Sequence, residues 1–274
     1  MKKKAMKTGV RVLIYALTLA ALCPLPVYGT PDLSEYTKPS ELVQSDDAIG
    51  KAWAEYIVET AGAETETEKI RAIYAWYTRN MEYDHDIVLR VRDLPAAEQM
   101  RRVPRYDYLS VLAAVADYAA GLREDKPKNL CGGYAYGVAG SLRALGIPVK
   151  IEMGRVSRTV KKGETYFDEN GKQRVSKGKG ETPYRYYNGR WIKLADAHAR
   201  LSIWDETKGR WISADPAFDS VSGDDSYFDM SAAKYANRWT FLYVSSERMP
   251  LLWKENPLPD AEIAPPPALP AETR

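Results

Sequence analysis

Cysteine and histidine, the residue types that most often carry acyl transfer, are scarce in this chain. Its 274 residues include two of each. Cys131 opens the segment CGGYAYGVAGSLRALG, where apolar residues recur at helical spacing, so we expect a thiol at a helix start. Unpaired N–H groups and the positive end of the helix dipole favour a thiolate there. From this segment alone, Cys131 could equally be a nucleophile or a small buried hydrophobic side chain.

A histidine and a carboxylate that could act with this thiol follow downstream. Alternating apolar and polar residues around His198 predict a strand, and Trp211 to Asp215 predict a second one. The turn-forming run Asp205 to Gly209 joins the two strands into a hairpin. A hairpin centred near residue 206 or 207 places His198 opposite residue 215 or 216, so we expect Asp215 to orient the imidazole. A purely structural salt link between strands would have the same pattern.

Helices and a strand must position these groups. The patterns predict helices over Ala48 to Thr60, from the capping box Thr65–Glu68 to about Asn80, and over Asp107 to Gly121. The cysteine helix ends at Gly146, and alternation from Val149 to Val156 predicts a strand with one buried face. We therefore expect an α+β fold in which helices pack on an antiparallel sheet and the nucleophile lies at a helix N-terminus.

Residues 1–29 have the pattern of a signal peptide. Five basic residues and no acidic ones precede the apolar run Val12 to Leu22, and cleavage is expected before Thr30. The run is shorter than the roughly 20 residues that cross a bilayer, so we expect export without a membrane span after cleavage. Lipid attachment at Cys23 is not expected, because Leu22 stands where that signal has a small residue.

Export would leave Cys131 without a partner for an internal disulfide, which indicates pairing between chains or a reactive thiol. The net charge of +2 includes the five basic residues of the leader, so the mature chain would be slightly acidic. This balance gives no indication of nucleic acid binding. The sequence also has no phosphate-binding glycine loop and no paired metal-ligand motif, so we expect no cofactor and no metal.

The remaining organisation follows from composition. Residues 30–63 are predicted to form a surface wrap and the first helix, residues 64–249 the main domain, and the proline-rich residues 250–274 an extended or disordered tail. Residues 157–190 form an insertion with a hairpin signal at Asn170-Gly171. From Arg155 to Arg190 there are ten basic and four acidic residues. This insertion is either a solvated hairpin or a binding site for an anionic cell-wall polymer.

A second histidine stands in the sequence Asp84-His85-Asp86, just beyond the predicted end of the second helix. These three residues could ligate a metal or act in catalysis. A single histidine between acidic residues is more often solvated, so we expect a solvated loop.

Three segments together resemble the transglutaminase-like superfamily, whose fold is similar to that of papain-type cysteine proteases. They are KIRAIYAWYTRNMEYD, NLCGGYAYGVAGSLRALGIPVKIEMG and DAHARLSIWDETKGRWISADPAFD, within residues 64–219. The resemblance implies Cys131 as nucleophile, His198 as base and acid, and Asp215 as the residue that orients the imidazole. Two departures are Arg200, where the family often has an aromatic residue, and the 67-residue Cys-to-His spacing, which the basic insertion lengthens.

Two functions remain open. The first is an exported enzyme that forms a thioester with a protein or peptide amide and passes the acyl group to water or to an amine. The second is a non-catalytic module of the same fold that binds a glycan or peptide of the cell envelope. An inactive copy is expected to lack one of the three residues, and this chain has all of them, which favours the enzyme.

Overall fold

The computed structural model describes residues 32–91, 102–104, 106–157, 159–187, 189–231, 239–241 and 263–268. The predicted signal peptide lies outside these residues, as does most of the proline-rich tail. Six α-helices follow a short 3-10 helix, Ser34–Tyr36, in the described part: α1 Ala48–Thr60, α2 Glu66–Asn80, α3 His85–Val91, α4 Tyr108–Ala119, α5 Cys131–Ala144 and α6 Pro216–Ser222.

The helices begin where the sequence predicts, because polar side chains cap them. Asp47 accepts a hydrogen bond from the N–H of Gly50 at 2.8 Å, at the start of α1. Thr65 and Glu68 form the expected capping box of α2. Asp107 caps α4 by accepting from the N–H of Ser110 at 2.7 Å. Each cap satisfies an N–H group that the first helical turn leaves unpaired.

The described strands are β1 Glu82–Tyr83, β2 Lys128–Asn129, β3 Val149–Ser157, β4 Thr165–Phe167, β5 Gln173–Val175, β6 Tyr184–Tyr187, β7 Arg190–Lys193, β8 Ala195–Asp205, β9 Arg210–Ala214 and β10 Trp239–Phe241. The central sheet contains four antiparallel strands in the order β10-β3-β8-β9. A second antiparallel sheet has the order β5-β4-β6-β7, and β1 pairs with β2 in parallel.

Helix α5 is the centre of the core. Its residues 132–143 are all buried, and it contacts α1, α2, α4 and α6 as well as strands β3 and β8. Two glycines allow close packing: a Cβ on Gly137 would lie 2.5 Å from the ring of Tyr77, and one on Gly140 would lie 2.2 Å from the ring of Tyr108. The fold is therefore the predicted α+β arrangement, with the cysteine at the N-terminus of its central helix.

Three expectations need correction. The segment before α1 is more than a surface wrap, because Leu42 and Val43 are buried in the main core. The insertion forms the whole second sheet, and its strands continue to Lys193. The described part of the tail, residues 263–268, includes the buried Ile263, and the carbonyl of Ala264 accepts a hydrogen bond from Trp53 Nε1 at 2.7 Å. This part of the tail is packed on the core.

Candidate active site

Cys131 is the first residue of α5. The preceding residues are fixed by the β1–β2 pair, in which Tyr83 lies opposite Asn129. Leu130 occupies the N-cap position and offers no side-chain hydrogen bond to the helix. The thiol is free and half-buried. The first-turn N–H groups of α5 therefore have no capping side chain beside the sulfur, which leaves them able to stabilise negative charge there.

His198 lies on β8, opposite Gly154 of β3, and its side chain is 3 % exposed. Its Nε2 lies 2.7 Å from Oδ2 of Asp215, and the imidazole also hydrogen-bonds Cys131. Because Nε2 faces the carboxylate, Nδ1 is the nitrogen left for the sulfur. The structure thus brings together the three residues that the sequence singles out, in the order thiol, imidazole, carboxylate.

Asp215 reaches the imidazole by a route that the hairpin prediction did not include. The β8–β9 ladder ends at Leu201 and Ala214, so Asp215 is not paired across the sheet with His198. It is instead the N-cap of α6: Oδ1 accepts a hydrogen bond from the N–H of Phe218 at 3.1 Å, while Oδ2 faces His198. The predicted strand-to-strand register is wrong, although the predicted contact is present.

The electrostatics of the pair favour a protonated histidine. Burial alone would lower the pKa of His198, but the charges of Asp215 and Cys131 and its hydrogen bonds to both raise it from 6.5 to about 10. The imidazole therefore carries a proton at neutral pH. A protonated imidazole beside the sulfur holds the proton that a leaving amine needs.

Helix α6 is held against the core, and this fixes Asp215. The hydroxyl of Tyr74 donates to the carboxylate of Asp219, which also accepts from the N–H of Tyr227 at 2.8 Å. The hydroxyls of Tyr134 and Ser220 lie 2.5 Å apart. Tyr74 and Tyr134 belong to α2 and α5, so the two largest helices of the core orient the short helix that carries the carboxylate.

Sequence reasoning missed two aromatic residues at the site. Phe218 stacks on His198 with ring centroids 4.6 Å apart and an angle of 19°. Burial raises the pKa of Tyr106 above its ordinary value, and the charges of Asp84 and Cys131 raise it further. That hydroxyl therefore keeps its proton at neutral pH. Proline favours the first position of a helix, so Pro216 could have indicated a helix that begins there. Such a helix would have placed Phe218 in the first turn, beside its N-cap residue Asp215.

Arg200, which replaces the aromatic residue common in the family, is buried on β8 two residues after His198. Its guanidinium pairs with Glu152 of β3, and Ser202 donates to the same carboxylate at 2.7 Å. Burial lowers the pKa of Arg200 to about 10, against the opposing effects of Glu152 and Asp215. The group still carries its charge at neutral pH, so its positive field reaches the orienting carboxylate.

Asp84, His85 and Asp86 do not form the expected loop. His85 begins α3, and Asp84 accepts a hydrogen bond from the N–H of Ile87 at 3.0 Å. Asp86 pairs with Lys128 at 3.2 Å. Within the described ranges, no group of three or more His, Cys, Asp or Glu side chains could hold a metal ion. Nor is any helix in that part of the chain long and apolar enough to cross a membrane.

The chain matches the family model of the transglutaminase-like superfamily over residues 51–216, and it belongs to this superfamily. The match contains Cys131, His198 and Asp215. No curated protein matches the chain.

Solved structures similar to the chain include a candidate cysteine protease from Cytophaga hutchinsonii, with 17 % identity, a TM-score of 0.35 and coverage of 81 % of this chain and 55 % of the other. The periplasmic domain of TgpA from Pseudomonas aeruginosa has 17 % identity, a TM-score of 0.32 and coverage of 73 % and 46 %. A TGase has 13 % identity, a TM-score of 0.32 and coverage of 74 % and 36 %. The chain thus spans about half or less of the length of these proteins.

Proposed function

We propose that this protein is an exported cysteine-dependent acyl-transfer enzyme that acts on protein or peptide amides. The observation that carries the proposal is the buried contact of 2.7 Å between His198 and Asp215, with the same imidazole hydrogen-bonded to Cys131. Membership of the transglutaminase-like superfamily supports it, since this superfamily includes transglutaminases and cysteine proteases. Export rests on the pattern of residues 1–29.

The proposed reaction has two halves. The thiolate of Cys131 attacks the amide carbonyl, the C–N bond breaks, and the leaving amine takes a proton from His198. The resulting thioester is then attacked by water or by a primary amine, and the neutral imidazole takes the proton of the attacking group. Asp215 keeps the imidazole oriented in both halves and stabilises its charge.

The oxyanion formed during attack requires hydrogen-bond donors. The backbone N–H of Cys131 is one, because it opens α5 and has no capping partner. The protonated hydroxyl of Tyr106 is a second candidate, supported by the effect of the Cys131 charge on the pKa of Tyr106. Removal of one such donor in other enzymes lowers kcat by about 100- to 1,000-fold, so we expect Tyr106→Phe to lower kcat while leaving alkylation of the thiol unchanged.

A covalent trap tests the proposal without knowledge of the natural substrate. Peptide aldehydes and acyl fluorides should form an adduct on the tryptic peptide that contains Cys131, as detected by mass spectrometry. Cys131→Ala should give no adduct, and His198→Ala should slow adduct formation strongly. The double variant should lose no more activity than Cys131→Ala alone, because the two groups act as one unit.

A matched control comes from the other histidine. His85→Gln should leave adduct formation unchanged. Addition of a labelled primary amine to a peptide substrate then separates transamidation, which incorporates the amine, from hydrolysis, which does not. A folded wild-type protein that forms no adduct with any probe would contradict the enzyme and favour a binding module.

A further inference from the structure

The second sheet carries an aromatic surface on one face. Residues that lie opposite each other in an antiparallel sheet point to the same side, and the register places Tyr186 opposite Trp191 and Phe167 opposite Tyr184. Trp191 contacts both neighbours, with ring centroids 5.3 Å from Phe167 and 5.5 Å from Tyr186. We call these four residues the aromatic face.

These rings are presented to solvent on a fixed support. Tyr186 is 59 % exposed and Phe167 is 44 % exposed. Trp191 packs on the hairpin turn between β4 and β5, where a Cβ on Gly171 would lie 2.2 Å from its ring. Gly171 has a φ of +74°, so the glycine serves both the turn and the close approach of the ring. A ligand therefore meets rings that are already oriented.

Most of the other residues on this face are polar or basic. Thr165, Gln173 and Lys193 share it by the same register, and so does the exposed Val175. Cores of protein–protein interfaces are enriched in aromatic residues but depleted in lysine, so the rings alone would fit a protein partner, and the polar and basic neighbours favour another ligand. Exposed rings interleaved with hydrogen-bonding side chains fit sugars, whose apolar ring faces stack on aromatics and whose hydroxyl groups need polar partners.

The charge of the insertion indicates which class of sugar would bind to this surface. Residues 159–193 include nine basic and four acidic side chains. Three of the acidic ones serve internal loops: Asp168 pairs with Arg174 at 2.8 Å, Glu164 accepts from the N–H of Lys161, and Glu181 accepts from the N–H groups of Lys177 and Lys179. Among the described residues, Lys172, Lys177 and Lys179 form no ion pair, so the positive charge is available to an anionic ligand.

We propose that the aromatic face binds an anionic glycan of the cell wall, whose sugar rings stack on Trp191, Tyr186 and Phe167 and whose carboxylates approach the lysines of the insertion. This surface is separate from the thiol and does not depend on the proposed catalysis. It does rely on export, because an exported protein meets wall glycan rather than nucleic acid, the other polymer that stacks on aromatic and basic surfaces.

A pelleting assay with protein-free peptidoglycan sacculi tests the proposal, with the full chain in a Cys131→Ala background so that turnover plays no part. Tyr186→Ala and Phe167→Ala should each raise the apparent Kd about tenfold or more, as loss of an aromatic anchor does in other interfaces. Both side chains are exposed, so neither change should unfold the sheet, whereas Trp191→Ala also removes packing on Gly171. Leu89→Ala, 61 % exposed on α3, is the matched control and should not change the Kd.

Three further ligands make the result decisive. Chitin, a neutral glycan, should bind more weakly than sacculi at low salt. Polyglutamate should bind weakly and without dependence on Tyr186, because it has no sugar rings. A dT oligonucleotide should not compete with sacculi. Unchanged binding of the Tyr186→Ala and Phe167→Ala variants, equal affinity for chitin, or competition by the oligonucleotide would each overturn the proposal.

Discussion

Asp215→Asn is the sharpest test of how the site works, because it removes a charge and little else. The carboxylate of Asp215 is fully buried, and Oδ2 lies 2.7 Å from Nε2 of His198. At that distance, and with an effective dielectric constant of about 20, the attraction between the two charges is about 6 kcal/mol. Asparagine keeps the oxygen that caps α6 through the N–H of Phe218, and it is an equally good N-cap residue.

The substitution should therefore act on the proton of His198 more than on the fold. Burial, which disfavours the charged imidazole, would then be opposed mainly by Cys131, so the pKa of His198 should fall from about 10 to near or below 6.5. The asparagine amide would also donate to Nε2 and move the remaining proton to Nδ1, which can then no longer accept a proton from the thiol. We expect turnover to fall about 100- to 10,000-fold.

The imidazole can be observed directly. The chain has two histidines, so long-range 1H–15N spectra contain two imidazole patterns, and His85→Gln identifies that of His198. In the wild type this imidazole should stay protonated from neutral pH until the pH approaches 10, and in Asp215→Asn it should lose its proton at clearly lower pH. Asp47→Asn, which alters the N-cap of α1 away from the site, is the control.

Two outcomes would refute this reasoning. One is an imidazole that remains protonated above pH 9 in the folded Asp215→Asn protein. The other is turnover within threefold of the wild type, which would mean that orientation of the imidazole does not depend on the carboxylate.

Two predictions concern the scaffold. Gly140→Ala places a Cβ 2.2 Å from the ring of Tyr108 and should lower the free energy of unfolding by about 3 kcal/mol. The control Gly132→Ala, whose Cβ has an ordinary 3.6 Å contact, should change the free energy of unfolding by less than about 1 kcal/mol. Urea denaturation measures both values, and equal effects would contradict the packing argument. Tyr74→Phe removes the donor to the buried carboxylate of Asp219 and should cost about 1–3 kcal/mol and lower turnover by loosening α6; a variant with wild-type stability and turnover would show that this hydrogen bond does not hold the helix.

Much of the scaffold could be predicted because its signals are local. Capping side chains and helical periodicity give the bounds of α1 and α2, and Gly146, with a φ of +79°, ends the cysteine helix as expected. The contact between His198 and Asp215 could be expected from the hairpin. The geometry of this contact could not be predicted, because a shift of one or two residues in the turn changes every cross-strand pair.

The features of the fold and of the site that could not be predicted depend on long-range packing. The burial of Leu42 and Val43 results from contacts with helices far along the chain, and their own segment is polar and irregular. In the glycine-rich, charged insertion, Asn170-Gly171 marks the turn between β4 and β5, but the periodicity of three- and four-residue strands is too weak to predict the whole sheet. The stacking of Phe218 on His198 requires both the strand and the short helix to be in position.

The insertion leaves the central sheet close to the thiol. It connects β3 to β8, whose pair Ser157 and Ala195 is three residue pairs from Gly154 and His198, about 10 Å along the strands. A polymer held by the insertion would therefore be tethered beside the reactive sulfur, at an effective concentration in the millimolar range. The rate on an insoluble wall would then depend on the density of sites on its surface, and peptides attached to the wall would react faster than free peptides of the same sequence.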